Sequence, residues 1–322
     1  MQLHGIHHVT AITGDVADNL DFYTRVLGLR LVKKSVNQDD TSAYHLFYAD
    51  KLGTPGTDMT FFDWPQTPPN QRGTDSITLT MFRVNGAAAL DYWGSRFDSL
   101  GVKHGARYTF AGREYLPFED NEGQRIALVD DGGAPFEGEA WDAAGIPLEY
   151  AIRGFYGVGL SVPELKQVEV ILTQVLGFSE VQRLPDPHLP ADQVVVYAMD
   201  GGGAGREVHV TIQPDAEIAW PGRGGVHHVA FRLTDDDEYR QWHQWLSRVG
   251  MPNSGPVDRY YFKSLYFRIS GGILFELATD GPGFATDEPL ESLGERLALP
   301  PFLEPRRDQI EAGLKPIKPH GA

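Results

Sequence analysis

Gly225–Leu233 reads GVHHVAFRL, and Gly5–Thr13 near the start of the chain reads GIHHVTAIT. The same phrase, with two adjacent histidines, therefore recurs far apart in the sequence. Both copies are short, rich in β-branched residues and preceded by glycine, which predicts strands whose alternate side chains face opposite sides. His8 and Thr10 then share one face, as do His228 and Ala230. One histidine of each pair can point into a common cavity while its neighbour points away, an arrangement suited to a metal ion.

The second half of the chain repeats the first. Gly154–Phe178 lies over Gly5–Leu29 without a gap, at an offset of 149 (154 − 5). The same offset sets Gly250 over Gly101 and Gly272 over Gly123, so a duplication is expected. Within the first quarter, Val16, Leu20, Tyr23 and Leu27 form the apolar stripe of a helix ended by Gly28. Strand-like runs follow at Arg30–Val36, Ala43–Tyr48 and Asp58–Trp64. This βαβββ unit is followed by a second, with a strand at Ser76–Val84 and a helix carrying Leu90, Trp93, Phe97 and Leu100 on one face. A fourth unit contains GVHHVAFRL, a helix with Tyr239, Trp242, Leu246 and Val249 on one face, and strands at Ser264–Ile269 and Gly272–Thr279.

The expected class is α+β with four βαβββ modules. The first two form a domain over residues 1–135 and the last two a domain over 152–282. A Gly-, Pro- and Asp-rich linker joins them at 136–151. The tail, 283–322, has helix-like pieces at Glu288–Leu297 and Pro305–Leu314. It is expected to wrap the barrel or to contribute a homo-oligomer contact, without carrying chemistry.

Composition narrows the function. With no cysteine among 322 residues, disulfides, thiolate metal sites and cysteine nucleophiles are excluded, so any metal must be held by nitrogen and oxygen. A formal net charge of −16 argues against nucleic-acid binding, which is driven by Lys and Arg. No apolar run approaches a membrane span, and MQLHGIHHVT lacks the layout of a signal peptide, so a soluble, cytoplasmic protein is expected.

The duplication acts as an internal control. The third module has Gly157 at the position of His8, and the second has Leu79 at that of His228, so the fold does not require the paired histidines. Two imidazoles alone hold a divalent metal weakly, and a carboxylate is the natural third ligand. Glu276 stands in the apolar strand GGILFELAT, where the second module has Ala127. Two histidines and one carboxylate with open positions form the arrangement of non-haem Fe(II) oxygenases.

With GIHHVTAIT, FYTRVLGLRLVKKSVNQDD, PGRGGVHHVAF, DRYYFKSLYFR and GGILFELATDGPGF in place, the chain resembles the vicinal oxygen chelate superfamily of glyoxalases, fosfomycin and bleomycin resistance proteins and extradiol dioxygenases. More narrowly it resembles the hydroquinone ring-cleaving dioxygenases, the group containing dichlorohydroquinone dioxygenase and the MhqO-like proteins. The resemblance implies paired domains forming two open barrel cups. It also implies Fe(II), with Mn(II) or another divalent metal as a substitute, held by His8, His228 and Glu276. His7, His227, Thr10, Arg259 and Tyr266 match positions around the metal and substrate, where Arg259 would stabilise developing charge and Tyr266 would donate to a ring oxygen. The activity implied is extradiol-type cleavage of a small hydroquinone or catechol, with O2 inserted beside a ring hydroxyl. Because the ligands come from modules one and four, these modules must face each other, leaving two and three as the matching empty cup.

Two other readings use the same scaffold. A lyase or isomerase like glyoxalase I uses four protein ligands, and the last strand of module one offers Asp63 or Thr60 for the fourth. A resistance protein would bind an aromatic without turnover. His209, in REVHVTIQP, is either structural or a ligand of a further site.

Overall fold

The computed structural model describes residues 1–317. Module one comprises strand β1 (Ile6–Thr13), helix α1 (Val16–Asp21) and strands β2 (Arg30–Val36), β3 (Tyr44–Ala49) and β4 (Asp58–Asp63). Module two comprises β5 (Ser76–Val84), α2 (Ala87–Leu100), β6 (Tyr108–Phe110), β7 (Arg113–Glu119) and β8 (Arg125–Asp130). The third comprises β9 (Phe155–Val162), α3 (Leu165–Val170), β10 (Ser179–Pro185), β11 (Gln193–Ala198) and β12 (Glu207–Ile212). The fourth comprises β13 (Val226–Leu233), α4 (Asp236–Arg248), β14 (Val257–Asp258), β15 (Lys263–Arg268) and β16 (Leu274–Thr279), followed by tail helix α5 (Arg307–Gly313).

The strands form two eight-stranded sheets, ordered β14-β15-β16-β13-β1-β4-β3-β2 and β10-β11-β12-β9-β5-β8-β7-β6. Modules one and four thus share one sheet, as their histidines require, and modules two and three share the other. Each sheet takes one module from either half of the sequence. The central joints, β1 with β13 and β5 with β9, are antiparallel. A backbone crossing ties the two sheets reciprocally: Ile6 N–H donates to Gly205 O at 2.7 Å, and Phe155 N–H donates to Gly56 O at 2.9 Å. The glycines before these residues are needed there. Gly5 and Gly154 both have positive φ, and a Cβ would lie 2.8 Å from Gly205 O at Gly5 and 2.5 Å from Gly56 O at Gly154.

The helices follow local signals. Asp15 caps α1 by accepting from the Ala17 and Asp18 amides, and Asp235 caps α4 through Asp237 and Glu238. Both α1 and α3 finish in a π-helical turn, closed by Leu27 N–H to Phe22 O and Leu176 N–H to Ile171 O, each 2.9 Å. The extra residue per turn brings Phe22, Tyr23, Val26 and Leu27 all into the core. Trp93 on α2 and Trp242 on α4 are buried, whereas Leu100 and Val249, expected on the same faces, are exposed at the helix ends.

One strand face packs against the helices in a core shared by both sheets; the other lines a cup. Each cup has its own small apolar cluster, containing Val32, Phe47, Ala230 and Ala278 in one and Met81, Phe110, Tyr115 and Ala127 in the other. On β4, alternation turns Asp58, Thr60 and Phe62 one way and Met59, Phe61 and Asp63 the other. Asp63 therefore stands on the opposite side from Thr60. Burial, countered by Lys315, pushes its carboxyl up to about 6.

The tail packs against β2; α5 falls within Pro305–Leu314, but the piece expected at Glu288–Leu297 differs. Residues 288–297 hold a single 3-10 turn at Leu290–Ser292 rather than a helix, and then pair Leu297 with Lys34. The anchor is Lys33, fully buried on β2, whose ammonium donates to Asp287 at 2.7 Å and to buried Glu288. Truncating one partner of such a pair strands a buried charge. Lys33→Ala should lower unfolding stability by about 3–5 kcal/mol in urea titrations, and expose the tail to limited proteolysis.

A raised carboxyl pKa favours the folded state most below the unfolded pKa, and that advantage is lost as pH rises through the folded value. Asp63→Asn, which mimics the protonated form, should raise the urea midpoint at pH 7.5 and leave it nearly unchanged at pH 4. Paired titrations at the two pH values check the sign.

Candidate metal centre

The strand register assembles the site. His8 on β1 lies opposite Ala230 on β13, and Ala230 lies beside Glu276 on β16. His228, two residues before Ala230 and on the same face, pairs with Thr10. His8, His228 and Glu276 therefore surround the small methyl of Ala230. Ligand atoms of the three all lie within 4.8 Å of one another, and all three residues are buried. Among the described residues no other group of three or more His, Asp or Glu side chains converges in this way.

The pairs of histidines are in contact, which simple alternation does not foresee. The β1–β13 ladder steps from Ile6↔Phe231 to His8↔Ala230 and from Thr10↔His228 to Ala11↔Val226, so His7 and His227 are the extra residues of two bulges. The other sheet bulges at the equivalent Thr78 and Tyr156, so the distortion belongs to the fold and only its occupants differ. The bulges turn each neighbour back onto its partner: His7 Nδ1 is 2.9 Å from His8 Nδ1, and His227 Nδ1 is 2.7 Å from His228 Nδ1.

This contact decides where the ring protons sit. Burial, with a further contribution from the adjacent His8, pushes the His7 pKa down to about 3, so its ring is neutral at physiological pH. Its Nε2 lies 3.1 Å from the Thr279 carbonyl, which can only accept, so the ring's single proton is on Nε2. His7 Nδ1 must then accept from His8 Nδ1–H; burial disfavours charge on His8, but Glu276 beside its Nε2 raises its pKa, favouring a second proton on Nε2 that a metal ion would replace. His227, also pushed down to about 3 by burial and His228, is likewise neutral, and its Nε2 has no partner among the described residues.

Glu276 completes the test of the site. Its side chain is fully buried, with His8 Nε2 at 3.1 Å and His228 Nε2 at 2.9 Å from Oε2. Yet neither carboxylate oxygen accepts a hydrogen bond of acceptable geometry. Burial would raise its pKa, but the adjacent imidazoles outweigh that and hold the carboxyl well below the usual range. An ionised, buried carboxylate without hydrogen bonds is costly, and a divalent cation between these three groups would satisfy it. Two imidazole nitrogens and one carboxylate oxygen suit iron, manganese or zinc.

A small cavity of about 50 Å³ opens beside the three groups, lined by Thr10, His45, Phe62, Arg259, Phe262 and Tyr266 among others. Arg259 Nε donates to the Tyr266 hydroxyl at 3.2 Å, and its Nη2 to exposed Asp39 at 2.9 Å. The Tyr266 ring stands edge-on to His228, 5.8 Å between centroids. Thr10 shares a 2.8 Å hydrogen bond with Thr60, which also bonds His45 Nε2 at 3.0 Å. Of the sequence candidates, Thr10, Arg259 and Tyr266 thus border the cavity, while His7 and His227 stand behind the metal-facing rings. Asp63 faces away, and His209 belongs to the other sheet, bonded to Glu207 at 2.8 Å.

His45 escaped the sequence reading because a histidine in YHLFYA looks like one more strand residue. Comparison with Val194, its counterpart at the 149-residue offset, carries the same signal that singled out His8.

The model of the Glyoxalase/Bleomycin resistance protein/Dioxygenase superfamily matches residues 5–128 and 158–280. MhqA of Bacillus subtilis (strain 168), named as a ring-cleaving dioxygenase, is 49% identical over 318 residues, covering 99% of this chain and 100% of that protein. The chlorohydroquinone/hydroquinone 1,2-dioxygenase of Sphingobium indicum is 30% identical over 317 residues, 96% of this chain and 95% of that one. A crystal structure of a Bacillus subtilis protein named as a dioxygenase superposes with a TM-score of 0.90 at 35% identity, covering 99% of both chains. Maize glyoxalase I shares the fold alone, with a TM-score of 0.63 at 14% identity over 86% of this chain and 92% of that one. With two complete repeats matched and relatives aligned from end to end, the chain belongs to the glyoxalase/bleomycin resistance protein/dioxygenase superfamily, among relatives named as ring-cleaving dioxygenases.

Proposed function

We propose that this protein is an Fe(II)-dependent, extradiol-type dioxygenase that opens a hydroquinone-like ring beside one of its hydroxyls. The observation that carries the reading is the buried Glu276 carboxylate, without a hydrogen bond of acceptable geometry, facing the Nε2 atoms of two buried imidazoles. The names of the full-length relatives supply the reaction class. His8, His228 and Glu276 would hold the iron, which supplies the redox chemistry that brings O2 and an ionised ring hydroxyl together.

The remaining roles belong to the protein's own groups. Because Arg259 donates to the Tyr266 oxygen, the phenolic proton is free to be donated into the cavity, toward a ring oxygen. Burial and nearby Glu276 raise the Tyr266 pKa, keeping that proton in place at physiological pH. Arg259 places positive charge behind it, where negative charge grows on the substrate oxygen. Phe62 and Phe262 supply apolar walls against which a ring can lie. His7 and His227 are positioning residues that hold the ligand histidines through Nδ1, and His7, fixed by the Thr279 carbonyl, accepts from His8 Nδ1–H.

Two measurements test this. Protein reconstituted anaerobically with Fe(II) should consume O2 one-for-one with hydroquinone or catechol, with loss of aromatic absorbance; His8→Ala, His228→Ala and Glu276→Ala should each lower the rate at least about 100-fold. Full activity in any of the three would refute the assignment, and anaerobic turnover of a glutathione hemithioacetal would favour a lyase instead. His7→Phe keeps the ring volume but removes the acceptor for His8 Nδ1–H. Its affinity for Mn(II), read by equilibrium dialysis, should fall about 10–100-fold with the circular dichroism spectrum unchanged.

A further inference from the structure

The second cup, between β5, β7, β8, β9 and β12, has lost every metal-facing group. By the 149-residue offset, His8, Thr10, His228, Tyr266 and Glu276 become Gly157, Gly159, Leu79, Pro117 and Ala127. A relic kept only for packing would be filled by larger apolar side chains. Instead it encloses a cavity of about 430 Å³, much larger than the one beside the metal centre and within the range of small-molecule sites.

Its lining carries polar groups that packing does not explain. The guanidinium of Arg125, half-buried on β8 where the metal-bearing sheet has Leu274, makes no hydrogen bond and no close ion pair with any described residue; burial lowers its pKa, against the more distant pull of its ladder neighbour Glu119 and of Asp186. The other charges nearby are already engaged: Lys103 pairs with Glu119 at 2.9 Å, Glu119 also with Arg72, and Asp186 accepts from the His188 and Leu189 amides. Tyr115 is buried, and its hydroxyl has no hydrogen-bond partner. His209 gives its Nε2 to the Glu207 carboxylate, leaving Nδ1 open. Around these stand aromatic rings: Tyr108 stacked on Tyr115 at 5.1 Å, and Phe110 at 5.7 Å from the His209 ring.

We propose that this second cup is a binding site for a small aromatic acid, its ring held among Tyr108, Phe110 and Tyr115 and its carboxylate paired with Arg125. A guanidinium with no direct hydrogen bond in a partly desolvated wall, its neighbouring carboxylates held by other groups, favours a carboxylate. The open nitrogen of His209 and the Tyr115 hydroxyl give a ring hydroxyl somewhere to bond. The proposal is independent of the oxygenase reading, because no residue is shared between the two cavities.

The test is calorimetric titration with 4-hydroxybenzoate, on wild-type protein and on His8→Ala, in which the metal cup is disabled. Saturable binding should persist in His8→Ala within about twofold. It should weaken at least tenfold in Arg125→Gln made in that background, and phenol, which lacks the carboxylate, should bind at least tenfold more weakly than the acid. Thr211→Trp, which fills the cavity from β12, gives a second variant should Arg125→Gln fail to fold, and it should abolish binding. Absence of saturable binding at millimolar concentration, loss of binding in His8→Ala, or binding indifferent to both Arg125→Gln and Thr211→Trp would overturn the proposal.

Discussion

The antiparallel pairing of β1 with β13 is the constraint on which the rest depends. It is the joint that closes one sheet from the two ends of a duplicated chain, and it brings both histidine pairs onto neighbouring strands. Parallel pairing of β13 with β16 then adds Glu276 one strand further along. Ala230 at the centre of this lattice matters by its size: a longer side chain would stand where the three ligand groups converge.

The bulges convert that lattice into a tuned site. An unbroken ladder would send His7 and His227 to the far face, away from their partners. The extra residue in each strand lets each ring reach its neighbour's Nδ1, so proton placement is decided by a backbone irregularity and, for His7, by the Thr279 carbonyl. The sister cup keeps the same bulges and uses one of them to aim Tyr156 at Glu207, 3.2 Å away. The backbone is thus a common frame, and the chemistry of each cup is set by which side chains occupy equivalent places.

Much of this was legible in the sequence because duplication makes comparison possible without other proteins. The strands, the helix-ending glycines, the exchange of modules between sheets and the convergence of His8, His228 and Glu276 all follow from periodicity and the offset. What stayed hidden depends on contacts between distant segments. The bulges leave no residue signature, since the sister sheet bulges at Thr78 and Tyr156 with different side chains. Lys33 reads as a solvated strand lysine until the tail lays Asp287 and Glu288 on it, and residues 288–297, charged at helical spacing, form only a short turn beside that anchor. The large second cavity was invisible for a related reason: glycines and an alanine in place of ligands indicate loss, but not that space remains.

The placement of the three metal-facing groups has a consequence for a chain made from its first residue onward. His8 emerges early, His228 follows after two complete modules, and Glu276 comes within the last fifth of the polypeptide. A nascent fragment that ends before Glu276 holds an incomplete set, and the strands that gather the set are joined by contacts of very long sequence separation. Assembly of this three-residue cluster is therefore coupled to the last steps of folding, and a product truncated before Glu276 lacks one of its members.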